Sequence, residues 1–216
     1  MKPNYKVKNW DTYARSHASV ITSFQWDLYQ EAVQYMVGDV VDYGCGTAKL
    51  APILDDNQQI DSYTGVDFSP EMVKMARWIV AQLTNKAFTI KQQKIEQTTG
   101  LYSSAVSIHS YYSWINTQVV LSNIYQCLKK EGVFVLVTPN PKLDMAKLIE
   151  QSNKELLAHP DAESFRQLNF LFEKTAYARF ISMDALILDC QTAGFKIIEC
   201  HQRHYLGGVN FLVLRK

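Results

Sequence analysis

Residues 40–50, Val-Val-Asp-Tyr-Gly-Cys-Gly-Thr-Ala-Lys-Leu, constrain this chain more than any other stretch. An apolar pair, Val40 and Val41, runs into Asp42. Gly44 and Gly46 then flank Cys45, and a helical pattern follows. Residues 63–70 make a second strand-like run, which ends in Asp67 ahead of Ser69 and Pro70. Strand, glycine turn, helix and a second strand with a terminal acid make a site for a ribose-bearing cofactor. Glycine tolerates φ > 0 and lets a ligand approach the bare backbone. Asp67 is placed to accept both hydroxyls of a ribose.

Spacing narrows the cofactor. Counting from Gly44, a dinucleotide fingerprint needs its third small residue at position 49, where the chain has Lys49. A long lysine there works against close helix–strand packing, which disfavours a nicotinamide oxidoreductase. A P-loop needs Gly-Lys-Ser or Gly-Lys-Thr, and this turn has neither. The acid-x-Gly-x-Gly pattern that remains resembles the glycine loop of class I S-adenosylmethionine (SAM) methyltransferases, with Ala48 where that family frequently has a third glycine. Val66-Asp67-Phe68-Ser69-Pro70-Glu71-Met72 is similar to the family's second motif. Residues 128–135, Leu-Lys-Lys-Glu-Gly-Val-Phe-Val, resemble the element that leads into the fifth strand, with Glu131 and Val133 as departures. Residues 193–198, Ala-Gly-Phe-Lys-Ile-Ile, resemble the run into the sixth strand. Four elements in order over residues 40–200 carry the resemblance.

The resemblance implies an α/β fold, a Rossmann-like three-layer αβα sandwich. Its seven-stranded, mostly parallel sheet has order 3-2-1-4-5-7-6, with the last strand antiparallel. It also implies SAM as cofactor. A single domain over 1–216 suits the length, with residues 1–38 as an N-terminal helical cap. A helical insertion after strand five, residues 142–181, is in this family commonly a cover for the acceptor pocket.

Bulk properties agree. The net charge is +1 and no lysine or arginine run stands out, against a dedicated nucleic-acid surface. No segment approaches the ~20 apolar residues of a membrane span, and residues 1–6 lack the apolar core of a signal peptide. Cys45, Cys127, Cys190 and Cys200 are scattered without a Cys-x-x-Cys pair. A cytoplasmic chain without disulfides or a zinc site is expected.

Along the chain, apolar residues at 20, 21, 24, 28, 33 and 37 predict a helix over 10–37, stopped by Gly38. Strands are expected at 40–43, 62–66, 87–91, 105–108, 133–137, 195–200 and 208–214. Helices are expected at 48–54, from the Ser69 cap onward, and at 117–128 and 183–193. Within the insertion, helices are expected at 142–158 and 161–174, separated by His159-Pro160.

The resemblance also distributes roles. Gly44 and Gly46 form the turn under the amino-acid and ribose portions of SAM, and Cys45 offers its backbone. Asp42 either anchors a loop amide or reaches the ammonium of the methionine moiety. Asp67 takes the ribose. Phe68 and Met72 flank the adenine, unless Met72 belongs to the helix core. Lys94 occupies the position where the family often has an adenine-binding acid, so the backbone at Ile95 and the side chain of Glu96 are expected to serve instead. The first helix of the family's small-molecule branch folds over the cofactor, which puts Tyr5, Tyr13 and Arg15 near the carboxylate end. Strand four ends facing the sulfonium, at His109 with Tyr111 and Tyr112 behind it. An imidazole such as that of His109 ordinarily titrates in the range that suits a general base near neutral pH, and Tyr111 is placed to orient an acceptor. The absence of the two prolines typical of planar-nitrogen methylation disfavours DNA bases and glutamine. Phe24, Trp26, Phe165, Phe170 and Tyr177 are candidates for an aromatic acceptor pocket. His201 and His204 have no metal-ligand spacing, and no metal is expected.

The reading is therefore a SAM-dependent methyltransferase acting on an oxygen or nitrogen of a small organic acceptor. A protein-directed methyltransferase and a non-catalytic, partner-binding subunit of the same fold remain as alternatives. The oligomeric state stays open.

Overall fold

The computed structural model describes residues 7–83, 87–167 and 179–216. Two helices open it, α1 (Val7–Ser19) and α2 (Ser23–Val33). They replace the single helix expected over 10–37. The break has a local cause. Thr22 accepts a hydrogen bond from the Gln25 N–H while the Gln25 side chain reaches back to the Thr22 N–H, a capping box that starts a new helix.

The sheet follows. Strand β1 is Gly38–Tyr43 and β2 is Ile60–Asp67; helix α3 (Ala51–Asp55) lies between them. Helix α4 (Pro70–Val80) leads to β3 (Ala87–Gln92). Strand β4 (Tyr102–Ile108), helix α5 (Thr117–Cys127) and β5 (Leu128–Pro139) come next. Helices α6 (Met145–Glu155) and α7 (Met183–Thr192) precede β6 (Lys196–Arg203) and β7 (Val209–Arg215). The sheet order is β3-β2-β1-β4-β5-β7-β6, as the resemblance implied. Strand β7 runs antiparallel to both β5 and β6; the other neighbours are parallel.

Helix α3 starts three residues later than expected. Ala48 sits at φ 59, in the left-handed region, and the loop makes tight turns before it can become helical. Strand β5 is longer than the five-residue core expected for it, because its pairing to β4 extends back to Leu128.

Both faces of the sheet are covered, so the central strands are apolar on both sides. Val40 packs with Leu28, Leu54 and Phe211 on one face. Its neighbour Val41 packs with Leu121, Phe134 and Leu136 on the other. A third, smaller core joins Tyr13 and Ala14 of α1, Met72 of α4 and residues Leu156, Ala162 and Phe165. The insertion is thus fastened onto the N-terminal helices. Ser19 donates to Asp161 at 2.6 Å, and the Ser23 N–H donates to Glu155 at 2.9 Å. Residues 162–167 are helical. The rest of the helix expected over 161–174 falls outside the described residues, together with Phe170 and Tyr177, as does Tyr5.

Strands β1 and β4 are neighbours, yet their following connections leave in opposite directions across the sheet. In open α/β sheets the carboxyl ends at such a switch point frame the ligand crevice. Here those ends are Tyr43, Asp67 on the adjacent β2, and Ile108.

Candidate active site

A cavity of about 610 Å³ opens at that switch point. The glycine loop forms its floor at one end. Gly44 has φ 75 and Gly46 φ 54, conformations that side chains resist. A Cβ on Gly44 would lie 2.7 Å from Ser110 Oγ, and one on Gly46 would lie 3.2 Å from His17 Cε1. Close approach and backbone angle both require glycine at position 44, whereas at position 46 the backbone angle is the stronger demand.

Serines hold the start of this loop. Ser107 and Ser110 both donate to the Tyr43 carbonyl, at 2.9 and 3.0 Å, and Trp114 Nε1 donates to Ser110 Oγ at 3.1 Å. Asp67 holds its middle: Oδ2 accepts the Gly46 N–H and Oδ1 the Ser69 N–H, each at 2.9 Å. Burial raises the Asp67 pKa, and those N–H donors work against the rise. The carboxylate is prepared by two donors and still borders the cavity.

Asp42 does not line the cavity. It lies beneath the loop, where Tyr63 donates to it at 2.9 Å, and burial pushes its pKa up to about 7. Lys49 is also buried. It donates to the Val20 carbonyl and to Gln25 (3.3 Å), so it ties the loop to the α1–α2 junction.

Most of the sequence-selected residues line this one cavity: Tyr13, Gly44, Cys45, Gly46 and Asp67, then Phe68, Met72, Ile95, Glu96 and His109. Cys45 is buried with its thiol pKa raised, first by burial and then by Asp42 and Asp67. Met72 is both lining and core, since it packs with Tyr13 and Phe165. Phe68 and Glu96 stand exposed at the rim, with Lys94 beside them.

Two further selected residues are not brought into the cavity. Arg15 is exposed on α1. Residues four apart share a helix face and residues two apart do not, so His17, not Arg15, accompanies Tyr13 inward. His17 lies against Gly46, bonds Thr47 Oγ1 at 2.9 Å and has a pKa held well below the usual value, mainly by burial. Tyr111 is the second correction. It is buried and donates to Asp189 of α7, so its hydroxyl serves packing between helix and loop. The short turn Tyr111–Ser113 presents Tyr112 to the cavity instead. The helical phase of α1 was available to find His17. Nothing in the sequence distinguishes Tyr111 from Tyr112.

Away from the glycine loop the lining is apolar, with Phe24, Leu143, Met145, Leu148 and Phe180, while Phe165 reaches back to pack against Tyr13 and Met72. Trp26, offered as an aromatic candidate, is exposed away from it. His109 is among the lining residues. It follows β4 with φ 60, its N–H donates to Val137 at 2.9 Å and its ring stacks on Phe24 at 5.5 Å. Nε2 of His109 is buried without a hydrogen-bond partner among the described residues. Burial, assisted by His204, pulls its pKa down to about 4. This corrects the expectation of a base tuned near neutral pH: the imidazole is neutral, and any protonation would cost desolvation.

The cradle suits an adenosyl group. Bare backbone lies at Gly44 and Gly46, a donor-fixed carboxylate at Asp67, and flat apolar surface at Phe68 and Ile95.

A family model for a methyltransferase domain matches residues 19–200. A malonyl-[acyl-carrier protein] O-methyltransferase of Acetivibrio thermocellus is 24% identical over 135 residues, 61% of this chain and 46% of that protein. The chain thus spans about half the length of the curated relative it matches. Among solved structures, the cyclopropane synthase MmaA2 from Mycobacterium tuberculosis superposes with TM-score 0.70 at 12% identity, covering 100% of this chain and 99% of that one. The N-methyltransferase NodS from Bradyrhizobium japonicum, in complex with S-adenosyl-L-homocysteine, does so with TM-score 0.63 at 13% identity, covering 95% and 98%. With most of its length matched by the domain model and its sheet in the order described, the chain belongs to the methyltransferase domain family and has the class I SAM-dependent methyltransferase fold.

Proposed function

We propose that this protein transfers a methyl group from SAM to an oxygen or nitrogen atom of a small organic acceptor, releasing S-adenosylhomocysteine. One observation carries the reading. One cavity holds a glycine loop and a buried carboxylate together with a largely apolar, aromatic lining, and His109 is among its lining residues. Bound at the first end, SAM supplies a methyl carbon already activated by its sulfonium.

The chain's own residues then have positioning to do. Holding reactants in line supplies on the order of 7–11 kcal/mol in favourable cases. Asp67 accepts the ribose hydroxyls; Gly44, Cys45 and Gly46 offer backbone; Tyr13 and His17 close over the methionine portion. Ile95, Glu96, Phe68 and Met72 hold the adenine. His109, whose Nε2 has no partner among the described residues, orients the acceptor by one hydrogen bond. Helix α6 and residues 156–165 are the acceptor lid. They roof the chamber and are fastened to α1 and α2, which suits a small acceptor better than a protein segment needing an open cleft. Four free cysteines, three of them buried, suit the reducing cytoplasm. No helix among the described residues is long and apolar enough to cross a membrane.

Asp67→Ala tests the reading. Calorimetry with S-adenosylhomocysteine should show at least tenfold weaker binding, about 1.4 kcal/mol or more. Unchanged affinity would remove Asp67 from the site.

A further inference from the structure

Helix α1 touches three parts of the molecule that the sheet keeps apart. Its inner face, Trp10, Tyr13 and His17, borders the cavity. Spacings of three and four residues keep these side chains on one stripe of the helix. Its first half reaches the start of α4, where Asp11 Oδ1 accepts Ser69 Oγ at 2.6 Å and the Glu71 N–H at 3.3 Å. Ser69 in turn donates its N–H to Asp67. Further along, His17 bonds Thr47, the residue after Gly46. The last residue of the helix, Ser19, donates to Asp161 of the insertion. A helix of 13 residues is about 20 Å long. One rod thus links Asp67, the glycine loop and the insertion.

The two halves of the insertion are held differently. The start of α6 rests on the core of the sheet, where Met145 and Leu148 pack, and Tyr205 donates to Gln151 of the same helix at 2.9 Å. Residues 156–165 rest on α1. Leu156, Ala162 and Phe165 share a small core with Tyr13, Ala14 and Met72, separate from the two cores that cover the sheet. The Tyr13 and Phe165 rings lie 5.9 Å apart. The bond from Ser19 to Asp161 is exposed. Segments held by a small core and exposed hydrogen bonds open at lower cost than the main core.

We infer that α1 couples the donor site to the acceptor lid: a ligand seated on the glycine loop and Asp67 orders residues 156–165. The inference rests on the proposed methyl transfer and concerns the regulation of that same site. A ligand over Gly46 meets the inner face of α1, and it favours the docked helix by whatever those contacts are worth in that position alone. The docked helix presents Tyr13 to Phe165 and Ser19 to Asp161. Ligand binding and ordering of the insertion therefore share one free energy. The coupling is reciprocal, so an acceptor held under residues 156–165 tightens cofactor binding by the factor with which the cofactor tightens acceptor binding. The start of α6, anchored on the sheet, takes little part.

Hydrogen–deuterium exchange of the full chain, with and without saturating S-adenosylhomocysteine, tests this. Exchange should slow in residues 7–19 and 156–165 together, severalfold more than in the edge strand β6, which lies off the path. Ser19→Ala removes a tie that does not border the cavity. In that variant the slowing of 7–19 should persist, while the slowing of 156–165 should fall about threefold, as expected for one exposed hydrogen bond. Slowing of 7–19 with 156–165 unchanged would overturn the inference and leave the donor site intact. Equal slowing in β6 would also overturn it, because a bound ligand then stabilises the whole fold without a route through α1. A Ser19→Ala variant that matched the parent in both segments would overturn it as well. Failure of S-adenosylhomocysteine to bind, measured by calorimetry on the same sample, would instead remove the proposed function on which the inference rests.

Discussion

The glycine-loop end and the apolar end of the cavity are specified in different ways. The first is made of backbone. Gly44 and Gly46 hold left-handed angles, Asp67 bonds two N–H groups, and Ser107 and Ser110 hold the Tyr43 carbonyl. The second is made of side chains from α2, the segment after β4, and the insertion, packed by apolar contact. Backbone-built sites tolerate few residue types at each position. Side-chain-built chambers tolerate many volume-conserving alternatives. One donor can therefore serve many acceptors on the same fold. The proteins this chain is similar to bear names that describe an O-methyltransferase, an N-methyltransferase and a cyclopropane synthase.

The contrast can be broken most severely at Gly44. A Cβ there meets Ser110 and must adopt φ 75. Left-handed strain of about 1–2 kcal/mol and overpacking of about 1–3 kcal/mol combine to about 2–5 kcal/mol. Gly44→Ala should lower the thermal midpoint and abolish measurable cofactor binding together. A variant with the parent's midpoint and affinity would show that the loop does not need its bare backbone.

A smaller effect separates two buried ionisable groups. The folded-state pKa of His109 lies below its unfolded value near 6.5, at about 4. Above pH 6.5 it costs nothing. As pH falls through the window from 6.5 to 4, the unfolded chain takes up a proton that the folded chain refuses, and about 3 kcal/mol of stability is lost. Asp42 has the opposite sign. Raised to about 7, it binds a proton more tightly when folded, so its contribution grows as pH falls from 7 towards 4. In thermal melts across that range, His109→Gln should lose less stability on acidification than the parent, and Asp42→Asn should lose more. Identical pH slopes in all three would contradict the burial of both groups.

The smallest effect distinguishes neighbours. Tyr111→Phe removes a hydrogen bond to the Asp189 carboxylate, worth about 2 kcal/mol. It should lower stability while leaving cofactor affinity unchanged. A weakened affinity at unchanged stability would return Tyr111 to the site.

These cases also mark what was legible in the sequence. Sheet order, the glycine loop and Asp67 could be read because tight turns and strand ends demand particular residue types at fixed spacing. The capping box Thr22-Ser23-Phe24-Gln25 was equally open to reading and divides the N-terminal helices. So was the four-residue step from Tyr13 to His17, which excludes Arg15. The presentation of Tyr112 over Tyr111 was not open. It depends on the left-handed residue His109, whose conformation is fixed by the pairing of its N–H to β5 and by the packing of Phe24. The His109 pKa was hidden for the same reason, since its burial is assembled from elements distant in sequence.

The most direct test of a donor end joined to an acceptor end is a crystal structure of the chain with S-adenosylhomocysteine. The account predicts the ribose hydroxyls on Asp67, the adenine between Phe68 and Ile95, and the sulfur directed at His109 and the chamber beyond. A ligand bound away from Asp67, or one whose sulfur points to the Lys94 rim, would contradict it.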